Sequence, residues 1–267
     1  HRVDRRQRQM CIRDRPWTEE QFMESNNSDI SRVHFTIWEA GIGSPVDLEN
    51  TTHEHILRRT EIMRLLLILL SKPMYVTKET LCMSSMQALE FMTCELERPV
   101  VLSFLCSLLN TVANYRQAER WKILGADAVR DTYTSLCLEM LCVLLSYQPA
   151  SKNSNLFLFY ARKLYRESDF LFLMNGTGKI FRESMAVTSG AFEMNNGRST
   201  FVKAPEEHVS EMLVVIWTLI RTNSKLCETV TQSPRIAFDM LSWLLYVALS
   251  NKCCLLYTSD AADDLLC

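Results

Sequence analysis

Between Asn155 and Ile180 apolar residues return at every third and fourth position, a spacing that predicts two amphipathic helices joined by a polar corner at Arg166–Asp169. Phe157, Tyr160, Ala161 and Leu164 fall at i, i+3, i+4 and i+7, and Phe170, Leu173, Met174 and Thr177 repeat that set. Ser168 or Asp169 is placed to cap the second helix, because a short side-chain oxygen satisfies an otherwise unpaired first-turn N–H.

The same period recurs along most of the chain. Met63, Leu66, Leu67 and Leu70 make one stripe, and Ala88, Leu89, Met92 and Leu96 make another. Val101, Phe104, Leu105, Leu108 and Val112 make a third. The longest runs from Val129 through Tyr133, Leu136, Met140, Val143 and Leu144 to Tyr147. A polar break at Pro149–Asn155 is long enough to reverse the chain. Gly190, Asn195, Asn196 and Gly197 make Ser184–Ala204 read as an exposed loop. Pro205, Glu206 and Glu207 then open a helix, since proline lacks a first-turn N–H that would be orphaned and acids suit the positive end of the dipole. Its buried side is Val209, Met212, Leu213, Ile216 and Ile220. Ser233–Pro234 starts the last helix, with Ile236, Met240, Trp243, Leu244 and Val247 inward.

No segment alternates as a strand does. The predicted class is all-α, about eight helices in an α-solenoid-like stack of antiparallel pairs, with a compact helical bundle as the alternative. Several helices, notably around Leu213–Trp217, are apolar on more than one side and should pack between neighbours.

Composition supports this and adds little. Among 267 residues, 48% are apolar and only seven are Gly and seven Pro, which disfavours a loop-rich or all-β chain. A net charge of −2 gives no basic excess for nucleic acid. The ten cysteines sit mostly inside apolar helical runs, without a CxxC pair, and read as reduced thiols acting as small hydrophobes. Both ends look foreign: residues 1–15 and 253–267 resemble translated adapter read-through, leaving 16–252 as a fragment of one helical scaffold domain. The ends carry six arginines and five aspartates, so Pro16–Lys252 stands at −3.

The candidate chemistry is sparse. His53, Glu54 and His55 lack the His-Glu-x-x-His spacing that puts two ligands on one helix face, and they read as a solvated helix start. Gly176, Thr177 and Gly178 lack the strand and Lys-Ser/Thr of a phosphate loop and read as loosened helix packing. No nucleophile elbow is present, and neither catalytic residues nor a cofactor are expected. Arg162, Lys163, Arg166, Glu167 and Asp169 remain as candidate partner or lipid contacts at the corner.

Five segments, in order, resemble the high-temperature-induced dauer-formation protein family, relatives of dymeclin. They are Ile37–Gly43, Glu61–Val76, Arg98–Tyr115, the hairpin at Asn155–Ile180, and Glu207–Leu226. Ile37–Gly43, Ser107–Val112 and Leu164–Phe170 are the most specific. The resemblance, not the periodicity, implies a non-enzymatic cytoplasmic protein held peripherally on Golgi membranes. It also implies partners among Golgi and secretory-pathway proteins, a role in vesicle formation and cargo sorting, and an anchor through a lipid-modified N-terminal glycine upstream of Pro16.

Overall fold

A computed structural model describes residues 37–44, 52–75, 77, 86–115, 126–149, 154–193 and 208–263, all within the compact unit Ile37–Cys267. The described residues form nine α-helices and no strand. These are α1 (His53–Leu70), α2 (Gln87–Glu90), α3 (Arg98–Ala113), α4 (Ala126–Ser146), α5 (Leu156–Lys163), α6 (Glu167–Glu193), α7 (Val209–Thr222), α8 (Ser224–Gln232) and α9 (Pro234–Asp263). A 3₁₀ turn follows α1 at Lys72–Tyr75, and α2 runs into a π-helical turn at Phe91–Glu95. The all-α expectation therefore holds, and the pairing of neighbouring helices is compatible with a helical stack.

Helix α4 is the hub: α1, α3 and α7 all pack on it. Its predicted stripe is only part of what it buries, since Cys137, Leu138, Met140, Leu141 and Leu144 are all fully enclosed. A helix apolar on several sides must be surrounded, and α4 is. Helix α3 bridges α4 to α6, and α9 packs on α6 and α8. Burial pushes the Cys106 thiol up to about 11 and the Cys137 thiol up to about 12, as expected of cysteines that serve as packing groups.

The segment Ile37–Ser44 lies as a strap across α3. Asn110, fully buried, accepts from the Ile42 N–H at 2.7 Å and donates to the carbonyls of Glu39 (2.9 Å) and Ile42 (3.1 Å). Asn114 donates to the Ala40 carbonyl at 2.7 Å, and Trp38 donates its indole N–H to Thr111 at 3.1 Å. Gly41 has φ of +140°, and a side chain there would strike Asn110 Oδ1 and the Phe172 ring at 2.7 Å. Edge-to-face contacts then run from Trp38 to Phe104 (5.8 Å) and from Phe104 to Phe157 (6.3 Å), tying the strap to α5. Two of the most specific sequence segments are thus the two sides of one hydrogen-bonded clasp. Asn110→Ala removes both the donor and the acceptor at a dry site and is expected to cost about 2–3 kcal/mol. Limited proteolysis should then cut within residues 37–44 faster than in the parent; an unchanged digestion pattern and urea midpoint would refute the clasp.

Several sequence expectations need correction. Helix α6 continues to Glu193, so Ser184–Glu193 is helix rather than loop; no proline interrupts it, and Ser184 is buried. Residues 194–204 of that predicted loop lie outside the described residues. Helix α7 starts at Val209, after His208 at φ 77°; Pro205–Glu207 lie outside the described residues. The region Leu213–Trp217 is not enclosed all round, because Trp217 is 65% exposed. In α9, Leu244 faces outward with Phe238, Leu241 and Leu245, while Trp243 stacks on Phe181 at 5.1 Å. Ala88 is also exposed, because α2 is a single turn whose buried apolar residue is Leu89.

Candidate interaction site

Two buried asparagines act at the two ends of α5, and the second of them holds the polar corner. Four N–H groups at a helix start and four carbonyls at its end lack internal partners, and one primary amide can serve both kinds at once. Asn155 donates to the Leu144 and Tyr147 carbonyls at the end of α4 (2.7 and 3.0 Å). Its Oδ1 accepts from the Phe157 and Leu158 N–H groups that begin α5 (2.9 and 3.3 Å). Asn223 repeats the device between three helices. It donates to the Ala161 and Leu164 carbonyls at the end of α5 (2.8 and 2.9 Å), and its Oδ1 accepts from the Leu226 N–H of α8 (2.9 Å). This brings the start of α8 beside the corner, which no spacing within Asn155–Ile180 foretells.

The corner itself is Leu164–Arg166, whereas the spacing predicts Arg166–Asp169. Arg166 accepts with its carbonyl from the N–H groups of Asp169 (3.1 Å) and Phe170 (3.3 Å), so α6 is already formed at Glu167. Ser168 and Asp169 therefore sit inside the first turn rather than at a cap. Glu167 and Asp169 there favour the positive end of the helix dipole, and Arg162 and Lys163 in the last turn of α5 favour its negative end.

All five predicted site residues gather at this corner. Arg162, Lys163, Arg166 and Glu167 are exposed and Asp169 is half-buried. Burial raises the Asp169 pKa from its ordinary value, opposed by the Arg166 charge. Interaction with the Tyr165 side chain, and then with Asp169, raises the Arg166 pKa above its ordinary value. Sequence reasoning missed Tyr165 and Lys225. Tyr165 is 63% exposed, with the Arg166 guanidinium and the Lys225 ammonium each 5.9 Å from its ring centroid. Lys163 lies similarly over Phe159 at 5.3 Å. A cleft of about 610 Å³ opens here between the start of α6, helix α8 and the start of α9, and its lining includes Tyr165, Phe170 and Leu171 with the charged Glu167, Lys225 and Glu228.

The other candidate groups do not assemble. His53 and Glu54 are exposed at the start of α1, whose first turn is capped by the Thr52 side chain. Among the described residues no three His, Cys, Asp or Glu side chains group as a metal site would. Gly176 and Gly178 lie mid-helix and tighten packing rather than loosen it: Gly176 abuts the backbone of Ala113 and Gly178 the Trp243 ring. Among the described residues no single helix is long and apolar enough to cross a membrane.

Comparison with known proteins adds the remaining findings. A family model described as high-temperature-induced dauer-formation protein (Hid1) matches residues 18–253. The Ubp5-interacting protein ftp105 of Schizosaccharomyces pombe is 26% identical over 82% of this chain and 24% of its own length. Protein HID1 of Mus musculus and that of Homo sapiens are each 27% identical over 79% of this chain and 28% of theirs. The chain thus spans about a quarter of the length of these relatives. No solved structure matches it.

Proposed function

The chain belongs to the high-temperature-induced dauer-formation protein family, and we propose that it is part of a non-enzymatic scaffold, peripherally attached to Golgi membranes, that serves secretory-vesicle formation and cargo sorting. The family match over residues 18–253 carries this reading. The corner supports it as a contact surface: exposed cations and an exposed aromatic ring, held rigidly by buried amides, suit recognition of another protein. In this reading the membrane anchor is an N-terminal lipid and the helical surface selects partners.

Imaging of the tagged full-length protein tests the location. Coincidence with Golgi markers is the expected result, and a uniform nuclear or extracellular signal would overturn it. One observation favours a second reading, an adaptor that works away from membranes: one relative is named for an interaction with Ubp5. Affinity capture with mass spectrometry separates the two, since Golgi and vesicle proteins among the captured partners support the first.

A further inference from the structure

We propose that the outward face of α9 at Phe238, Leu241 and Leu245 is a packing seam inside the longer family protein, covered there by an amphipathic helix from the length of that protein outside this chain. The seam concerns how the scaffold is assembled and is independent of its location in the cell.

Helix α9 is apolar on both sides. Inward, Trp243 is buried against Phe181, and the helix packs on α6 and α8. Outward, Phe238 is 69% exposed, and Leu241, Leu244 and Leu245 are also exposed. Phe238, Leu241 and Leu245 are three and four positions apart, so they stand in one row over two turns, the kind of ridge that fits the groove of a facing helix. Among the described residues 234–248, Arg235 is the only charged one that is exposed. A helix apolar all round is one that neighbours enclose. The two helices beside it differ: α6 turns Asn175, Lys179 and Arg182 outward, and α8 turns Lys225, Glu228 and Gln232 outward. Water therefore suits the outer faces of both neighbours and not that of α9.

The length of the relatives and the physics of a helical stack point to the occupant. The chain spans about a quarter of its relatives' length, and the exposed row lies within the residues 18–253 that the family model matches. A stack that ends in water needs a terminal helix with a polar outer face, and the described outer face of α9 is apolar, as in an internal layer. Consecutive elements tend to pack side by side, which places the covering helix soon after α9 in the family's order. A bilayer fits this face less well. A helix lying in a membrane surface carries several lysines and arginines on its polar side, whereas α9 exposes Arg235 alone among residues 234–248.

The test compares the 267-residue chain with the full-length protein, each carrying Leu241→Cys, and uses Gln232→Cys on α8 as the control. Maleimide labelling is read site by site by mass spectrometry. In the 267-residue chain the two introduced thiols should react at similar rates. In the full-length monomer the thiol at position 241 should react about tenfold more slowly, with no change at position 232. Cys137, fully buried in α4, should stay unlabelled in both and reports an intact fold. The double variant Leu241→Glu/Leu245→Glu should leave the thermal midpoint of the 267-residue chain unchanged and lower that of the full-length protein. Equal labelling at position 241 in the two chains, or a double variant that is neutral in both, would overturn the seam. So would protection that arises only with phosphatidylserine vesicles, which assigns the face to a bilayer, or only in a dimer, which assigns it to a second copy. Full-length protein that is uniformly nuclear loses the Golgi reading and keeps the seam. Golgi-localised protein with equal labelling does the reverse.

Discussion

Gly176→Val is expected to destabilise the chain more than any other single substitution on α6, leaving it largely unfolded at ambient temperature. At Gly176, helix α6 approaches α3 so closely that an added Cβ would meet the Ala113 carbonyl oxygen at 2.7 Å and its Cβ at 2.8 Å, besides its Cα. Most of the obstructing atoms are backbone of Ala113, the buried last residue of α3, so relief requires that helix end to move away from α6. Overpacking a tight core costs about 1–3 kcal/mol even where side chains can yield, and here they cannot. A chain of ordinary stability has only about 5–15 kcal/mol in all, so a cost above that range of overpacking removes a large part of it. Gly178→Ala is the internal comparison. Its Cβ would meet the Trp243 ring at 2.9 Å and the Arg182 side chain at 3.1 Å, both of which can shift. Urea titrations should therefore show a much lower midpoint for Gly176→Val, or no folded baseline, and a modest shift for Gly178→Ala. Equal shifts would refute the close approach of α3 and α6.

Asn223→Ala is expected to cost about 3 kcal/mol, because it strands buried carbonyls and uncaps α8 together. Asn223 is 3% exposed, so water does not replace the lost bonds without opening the structure. Asn223→Asp separates the two halves of its work. The carboxylate still accepts from the Leu226 N–H but faces the Ala161 and Leu164 carbonyls without a donor. It should therefore lose at least as much stability as alanine does. If aspartate restored the parent midpoint, only the cap would matter and the clasp between α5 and α8 would be wrong. Because Lys225 is on the first turn of α8, the same substitutions should also release it from the Tyr165 ring.

The elements were readable because periodicity is local. The stripe at Val101, Leu105, Leu108 and Val112 is a buried face of α3, and Val209, Met212 and Ile216 are the buried face of α7. The errors arose where local signals mislead. Glycine and asparagine between Ser184 and Ala204 signal a loop, yet α6 carries its helix to Glu193. Asn223 looks like any polar residue in a run of helix, yet it breaks α7 from α8 and holds a third helix. Most of the candidate site was likewise visible. Arg162, Lys163, Arg166, Glu167 and Asp169 announce a solvated corner by lying together in the sequence. Tyr165, between Leu164 and Arg166, carries neither a charge nor a place in the apolar stripe to single it out. Lys225, about sixty positions away, had no local signal at all.

What the sequence by itself determined is the all-α class, the faces that the helices bury, the charged corner, and, through the order of its segments, the family. Those depend on neighbours within a few turns and on short local segments taken in order. Only the tertiary structure decided that the strap at Ile37–Ser44 closes on Asn110, that Gly176 exists to admit Ala113, and that Asn223 carries Lys225 to Tyr165. The physical reason is that a buried amide or a missing Cβ has meaning only through the partner it meets. That partner is brought there by packing across dozens of residues, not by the period of the chain.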